Sequence, residues 1–201
     1  MLVTLDFETY FSKDLSLTKM STMDYVRHPD FKVWGVGIKI NDEETEWFGE
    51  DEAETALHDI DWEIATLVCH NTHFDGYILN RIFNLTPMYY TDTAAMSRAL
   101  HPSQSARLKD CAIRLFPNDE NMRKGEELAD AKGIYDLDPE LEQAIAGYCI
   151  QDVDLTSELY HKMVWDMPVS ELDLIDMTCR MFCQPKLVAD REALTTVLAE
   201  E

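Results

Sequence analysis

The sequence predicts an α/β fold with a mixed sheet, on three observations. Its 201 residues suffice for one ordinary domain with a full core. The first third carries three strand-like runs separated by turns, and short apolar runs then alternate with helical patterns. The last third is helical, which excludes an all-β sandwich and leaves strands and helices packed in layers.

Leu2-Val3-Thr4-Leu5-Asp6-Phe7-Glu8-Thr9 reads as the first strand. A period of two sets Val3, Leu5 and Phe7 on one face and Thr4, Asp6 and Glu8 on the other. Asp6 and Glu8 therefore project side by side, two rises or roughly 7 Å apart. The stretch from Asp14 to Asp30 is polar and turn-rich. A second strand follows over residues 31–40 and a third over residues 45–49, joined by the turn Asn41-Asp42-Glu43-Glu44, so the first third is a three-stranded meander. Glu50 to Glu54 opens a solvated surface helix. Residues 64–69 form a short continuous apolar run, as expected of a strand covered on both sides.

That run passes through His70 and Asn71 into a helix, for which Thr72 and Asp75 have capping-box spacing. Met88-Tyr89-Tyr90-Thr91 is a fifth strand, and Asp92-Thr93 begins another helix. Residues 102–139 read as helix and loop. Asp138 then caps the longest helix, with Pro139 at its first position. Its apolar stripe runs Leu141, Ile145, Tyr148, Leu155 and Leu159, and the place between Tyr148 and Leu155 is held by Asp152. A bare carboxylate on a core-facing stripe is costly unless a proton, a partner or a metal compensates it. Beyond Pro168 come an amphipathic helix and a last short one.

The net charge is −22. Nucleic acid is normally held by Lys and Arg, so a nucleic-acid partner requires local divalent cations or a basic surface elsewhere. Arg107, Lys109, Arg114, Arg123 and Lys124 form a loose basic cluster. The five cysteines lack a framework spacing and read as reduced core thiols of a cytoplasmic protein. No apolar run is long enough to span a bilayer, so no membrane association is expected.

Asp6, Glu8, Asp75 and Asp152 lie on three elements that an α/β sheet can bring to one edge. Ionised together they repel, which hard divalent cations with oxygen ligands, Mg²⁺ or Mn²⁺, resolve. Two such ions about 3.5–4 Å apart clamp the attacking and leaving oxygens of a phosphoryl displacement. Tyr148, one turn before Asp152, shares its face and can orient a water. With a phenol pKa of about 10 it is a weak base. Asp42-Glu43-Glu44 and Tyr10 to Asp14 repeat the same spacings, but in a turn and a loop. Zinc at Cys69, His70 and His73 is disfavoured because neighbouring strand residues face opposite ways.

Asp6-x-Glu8-Thr9, Asn71-x-x-Phe74-Asp75 and Tyr148-x-x-x-Asp152, in this order, resemble the DEDDy branch of the DnaQ-like 3′→5′ exonucleases, which have an RNase H-like fold. The likeness is closer to the proofreading exonuclease domain of phage-type family A DNA polymerases. It extends through Tyr25 to Phe31 and Asp92-Thr93, and covers residues 1–165. Residues 166–201 resemble the lead-in to a polymerase domain. The resemblance implies a five-stranded mixed sheet and 3′-5′ hydrolysis of single-stranded or frayed DNA ends in replication. It implies that Asp6, Glu8 and Asp152 hold one ion, and that Asp6, with Asp75 behind its water shell, serves a second. Tyr148 would position the water, with Thr9, Asn71 and Phe74 at the terminal nucleotide and a DNA polymerase domain or subunit as partner. Two other readings stand beside it: an exoribonuclease of the same branch, and a non-catalytic acidic module that mimics DNA.

Overall fold

The structure is a computed structural model that describes residues 1–119, 129–187 and 189–200. Its strands are β1 (Leu2–Thr9), β2 (Val33–Ile40), β3 (Glu46–Gly49), β4 (Thr66–Cys69) and β5 (Tyr89–Asp92). They form one five-stranded sheet in the order β3-β2-β1-β4-β5. The meander is present, since β1 pairs antiparallel with β2 and β2 with β3. The pairs β1–β4 and β4–β5 are parallel, so the sheet is mixed as expected.

Around it lie α1 (Thr22–Val26), α2 (Glu50–His58), α3 (Thr72–Arg81), α4 (Thr93–Leu100), α5 (Leu108–Leu115), α6 (Pro139–Met163), α7 (Val169–Cys183) and α8 (Arg191–Glu200). The turn-rich stretch before β2 contains the one-turn α1, capped by Ser21 through the N–H of Asp24. Ile64 stands outside β4 and is exposed. Asp138 caps α6 as expected, accepting the N–H groups of Glu140 and Leu141 at 3.1 and 2.9 Å. Asp154 latches α6 to the sheet, accepting from Lys39 Nζ at 3.1 Å and Thr45 Oγ1 at 2.6 Å.

Alternation along β1 sorts the molecule into layers. Val3, Leu5 and Phe7 are buried, and the Phe7 ring stacks on Phe83, just after α3, at 5.6 Å. On the opposite face α6 crosses β1 and β2. It comes close because Gly37 of β2 has no side chain there: a Cβ would stand 2.9 Å from Cys149 Sγ and 3.0 Å from Val153 Cγ2. Along α6 the buried positions include Ile145, Cys149, Asp152, Val153, Thr156, Leu159 and Met163. The stripe therefore runs through Cys149, with Tyr148 half-buried at its edge. All five cysteines are free and buried.

At the other end, α7 packs on β5 and α3, with Ile175, Cys179 and Cys183 in the core. The outward N–H of edge strand β5, at Tyr90, donates to Asp176 Oδ1 at 2.7 Å, and Arg180 Nη2 donates to the Met88 carbonyl at 2.9 Å. Side chains thus close a sheet edge that would otherwise offer unpaired backbone. Helix α8 has no buried residue. Among the described residues no helix is long and apolar enough to cross a membrane.

Candidate active site

The site forms where the sheet comes apart. β1 pairs with β4 only from Leu2 to Thr4, so the N–H groups of β1 beyond Thr4 lose that neighbour. Asp75, in the first turn of α3, fills the gap: its Oδ1 accepts the Phe7 N–H at 3.0 Å. Asp75 is 1% exposed. Burial raises its pKa well above the usual carboxylate range, and the negative charges of Asp6 and Asp92 push it the same way. Asp75 does not act as the outer half of a capping box. Thr72 instead sends its hydroxyl to the Thr91 carbonyl at 2.6 Å, because the start of α3 is pinned to β5.

From the other face α6 delivers Cys149, whose thiol donates to the Asp6 carbonyl at 3.3 Å and faces Asp6 Oδ2 at 3.8 Å. Ligand-capable atoms of Asp6, Glu8 and Cys149 all lie within 4.8 Å of one another. Burial holds the Cys149 thiol well above its ordinary pKa, and Asp6, Glu8 and Asp152 add to the effect. Cys149 is thus a neutral thiol inside a ring of carboxylates. Asp152 is 5% exposed, on the same helix one turn on. The structure therefore gathers Asp6, Glu8, Asp75 and Asp152 around the carboxyl end of β1, with the half-buried Tyr148 one turn before Asp152. Strand ends at a change of direction are where open α/β sheets place ligands. Here β1 has an antiparallel neighbour on one side and a parallel one on the other.

The sheet makes room for these acids in a way that sequence reasoning passed over. Asp6 pairs with Gly37 and Glu8 with Gly35, so neither acid has a cross-strand side chain beside it. Cys149 takes the space over Gly37, and the Trp47 ring takes that over Gly35. A register shift between Glu8 and Thr9 then ends the regular ladder. The alternation Gly35-Val36-Gly37 opposite an acidic pair was the available signal. Cys149 was also missed, since a cysteine between Tyr148 and Asp152 reads as packing.

The expected substrate residues are near but differently engaged. Thr9 is buried, its hydroxyl 2.9 Å from the Tyr25 hydroxyl, which in turn donates to the Tyr10 carbonyl at 2.6 Å. Phe74 is half-buried, with its ring 6.0 Å from that of Tyr25. Asn71 is exposed, at φ 79°, a left-handed conformation that Asn tolerates. Its N–H donates to Asp92 Oδ1 at 3.0 Å, which also caps α4. Asn71 lines a cavity of about 290 Å³ with His73, Arg98 and Cys179.

The two histidines of the zinc reading are engaged elsewhere. His70 lies 2.8 Å from both Thr93 Oγ1 and the Ala106 carbonyl, and His73 stacks on Phe182 at 4.7 Å. In the expected basic cluster, Arg114 is held by Ser97 and Ser105, and Arg123 and Lys124 lie outside the described residues.

The donor set suits a hard divalent cation: carboxylate oxygens from three elements, and a thiol kept protonated and so a poor ligand. Of these acids, Asp6 and Glu8 bring ligand atoms within 4.8 Å of each other and of the Cys149 thiol.

Comparison with known proteins gives the fold and the family. No curated protein matches the chain by sequence. In fold it is similar to Brucella melitensis NrnC, with TM-score 0.58 and 16% identity over 100% of this chain and 87% of that one. It is also similar to the catalytic core of RRP6 from Trypanosoma brucei, with TM-score 0.61 and 15% identity over 98% and 52%. Escherichia coli RNase D, an exoribonuclease involved in structured RNA processing, gives TM-score 0.60 and 12% identity over 98% and 48%. These likenesses establish an RNase H-like exonuclease fold. A family model described as 3′-5′ exonuclease matches residues 54–167, more than half of the chain. That match includes Asp75, Tyr148 and Asp152 and begins after β1. The chain belongs to the 3′-5′ exonuclease family.

Proposed function

We propose that this exonuclease removes nucleotides from the 3′ ends of single-stranded or frayed DNA, using two Mg²⁺ or Mn²⁺ ions, and that it proofreads beside a DNA polymerase domain or subunit. The observation that carries the reading is the reach of Asp75 from α3 to the β1 backbone beside Asp6, with Cys149 of α6 closing on Asp6 from the opposite face. Three elements are spent on gathering like charges, which stability alone does not favour.

Asp6, Glu8 and Asp152 would hold one ion, and Asp6 the second, with Asp75 behind its water shell. When bound, such ions activate water and offset charge developing on the phosphoryl group. The chain's own residues supply position. Tyr148 orients the attacking water through its phenol, the oxygen of that water bonds to phosphorus, and the 3′-oxygen of the penultimate nucleotide leaves. The products are a nucleoside 5′-monophosphate and a strand one residue shorter with a free 3′-hydroxyl. Thr9, Asn71 and Phe74 contact the terminal nucleotide, Phe74 through its half-buried ring.

The resemblance of the segment near Tyr25 to polymerase exonuclease domains favours DNA. An RNA substrate is the second reading, prompted by the exoribonucleases among the proteins of similar fold. The test is cleavage of 5′-labelled and 3′-labelled DNA and RNA oligonucleotides with Mg²⁺, against an Asp6→Ala control. A ladder from the 5′-labelled DNA alone, absent in the control, is expected. Faster loss of RNA would move the assignment to the second reading, and equal cleavage by Asp6→Ala would refute the site.

A further inference from the structure

In a chain with 17 basic and 39 acidic residues, one cavity among the described residues has three basic side chains in its lining and no acidic one. It measures about 360 Å³ and lies between α1, α3 and the end of α7. Arg27, Arg81 and Lys186 line it together with Tyr77, Asn80 and Gln184, and no acid does so among the described residues. None of the three cations forms an ion pair among the described residues. The Arg27 guanidinium lies 5.9 Å from the centre of the Tyr77 ring. Tyr77 is 1% exposed, and its hydroxyl has no hydrogen-bond partner among the described residues. A buried hydroxyl left unpartnered costs free energy that a phenylalanine would not, so its presence points to a ligand.

The cavity lies along the helix that supplies Asp75. Phe74, Tyr77 and Arg81 are spaced i, i+3 and i+7 on α3, and so share one face. Phe74 meets Tyr25, the partner of Thr9, at the acidic end of that face. Arg81 stands at the other end, about 10 Å further along the axis. Tyr25 and Arg27 repeat the order on α1 and its cap: Tyr25 by the acids, Arg27 by the cavity.

We propose that this cavity is a phosphate site for the nucleic-acid strand, holding a backbone phosphate upstream of the nucleotide being removed. Arg27, Arg81 and Lys186 supply the charge, and the Tyr77 hydroxyl and the Asn80 amide, one of whose hydrogens goes to Thr86 Oγ1 at 2.9 Å, supply neutral donors. This rests on the nuclease reading above and adds where an acidic protein grips an anionic strand. Only a local field is needed: a few cations within one Debye length, roughly 8 Å at physiological salt, are felt before the distant acids are.

The test is anisotropy of a fluorescein-labelled single-stranded DNA oligonucleotide on the full chain carrying Asp6→Ala, without metal. Adding Arg81→Glu and Lys186→Glu is expected to weaken binding by about tenfold or more and to lower the salt slope by about 0.7 for each phosphate no longer neutralised. Lys162→Glu, at an exposed cation on α6, repeats the charge change elsewhere and is expected to bind as the parent does. Unchanged affinity in the double variant, or an equal loss with Lys162→Glu, overturns the proposal. Inorganic phosphate that raises the melting temperature of the parent but not of the double variant, with oligonucleotide affinity equal in both, assigns the cavity to free phosphate and overturns the strand reading. Because binding is read without hydrolysis, failure of the unsubstituted chain to cleave would count against the nuclease assignment and not against this site.

Discussion

Asp75 and Asp176 do the same thing in two places with opposite surroundings. Each is a helical aspartate that crosses to the sheet and accepts a strand N–H that no neighbouring strand takes, Phe7 for Asp75 and Tyr90 for Asp176. At β5 the carboxylate also receives Arg180, at 2.8 Å from Nη2 and 3.3 Å from Nε. At β1 the flanking charges that act on Asp75 are those of Asp6 and Asp92, of its own sign. One carboxylate is neutralised where it stands and closes an edge. The other is set among like charges and completes a site that a cation would balance. Geometry alone does not distinguish a structural acid from a functional one; the sign of its neighbours does.

The sharpest way to break this contrast is mutation on both sides. Asp75→Ala is expected to lower hydrolysis by roughly three orders of magnitude, about 4 kcal/mol of transition-state stabilisation, with the fold retained. Asp176→Ala is expected to leave turnover per folded molecule unchanged while destabilising the chain by about 1–3 kcal/mol, since Tyr90 N–H and Arg180 lose their acceptor. Steady-state kinetics and urea denaturation of both variants measure the two effects. An Asp75→Ala enzyme of normal activity would erase the distinction.

Metal should act on one side only. At a hundred times its dissociation constant, Mn²⁺ would stabilise the native chain by about 2.7 kcal/mol, and chelator would remove the gain. A melting curve should show the shift in Asp176→Ala and lose it in Asp75→Ala.

The metal-free protein should also carry a pH signature. The folded-state pKa of Asp75 lies above its unfolded value of about 3.9. The folded chain therefore binds the proton more tightly. That contribution is complete below the unfolded value and is lost as pH rises through the folded one. Denaturation midpoints without metal should fall across that interval, and Asp75→Asn should flatten the fall. An identical pH profile in Asp75→Asn would show that Asp75 is not strained.

The smallest effect is expected at Tyr148. Tyr148→Phe should slow hydrolysis by about tenfold to a hundredfold, the scale of one positioned group, and leave the Mn²⁺ melting shift intact. Loss of that shift would make Tyr148 part of the ion site.

Much of the site was legible because its residues break local rules. Asp152 stands where a helix needs an apolar residue, and Asp6 and Glu8 share a strand face. In the fold Asp152 is a buried acid, while Asp6 and Glu8 are half-buried. A mixed sheet opening on a meander followed from the strand runs, the turn at Asn41 to Glu44 and the alternation of strands with helices; the strand order β3-β2-β1-β4-β5 did not. Asp75 was legible only as a motif, since its capping reading was locally sound. Its true partner, Phe7 N–H, depends on where β1 and β4 part, which no local pattern encodes. Gly35 and Gly37 hid for the same reason: their meaning lies in the strand opposite. The boundary drawn at residue 165 rested on resemblance, and α7 beyond it adds Ile175, Cys179 and Cys183 to the core.

The contact of Cys149 with Asp6 joins residues 143 apart in the chain. At a synthesis rate of roughly 5–20 residues per second, the first strand waits about 7–30 s on the ribosome for the helix that completes its acidic end. A nascent chain therefore carries Asp6, Glu8 and Asp75 before Cys149 and Asp152 are made. The acidic end of β1 is completed late, when α6 docks across it.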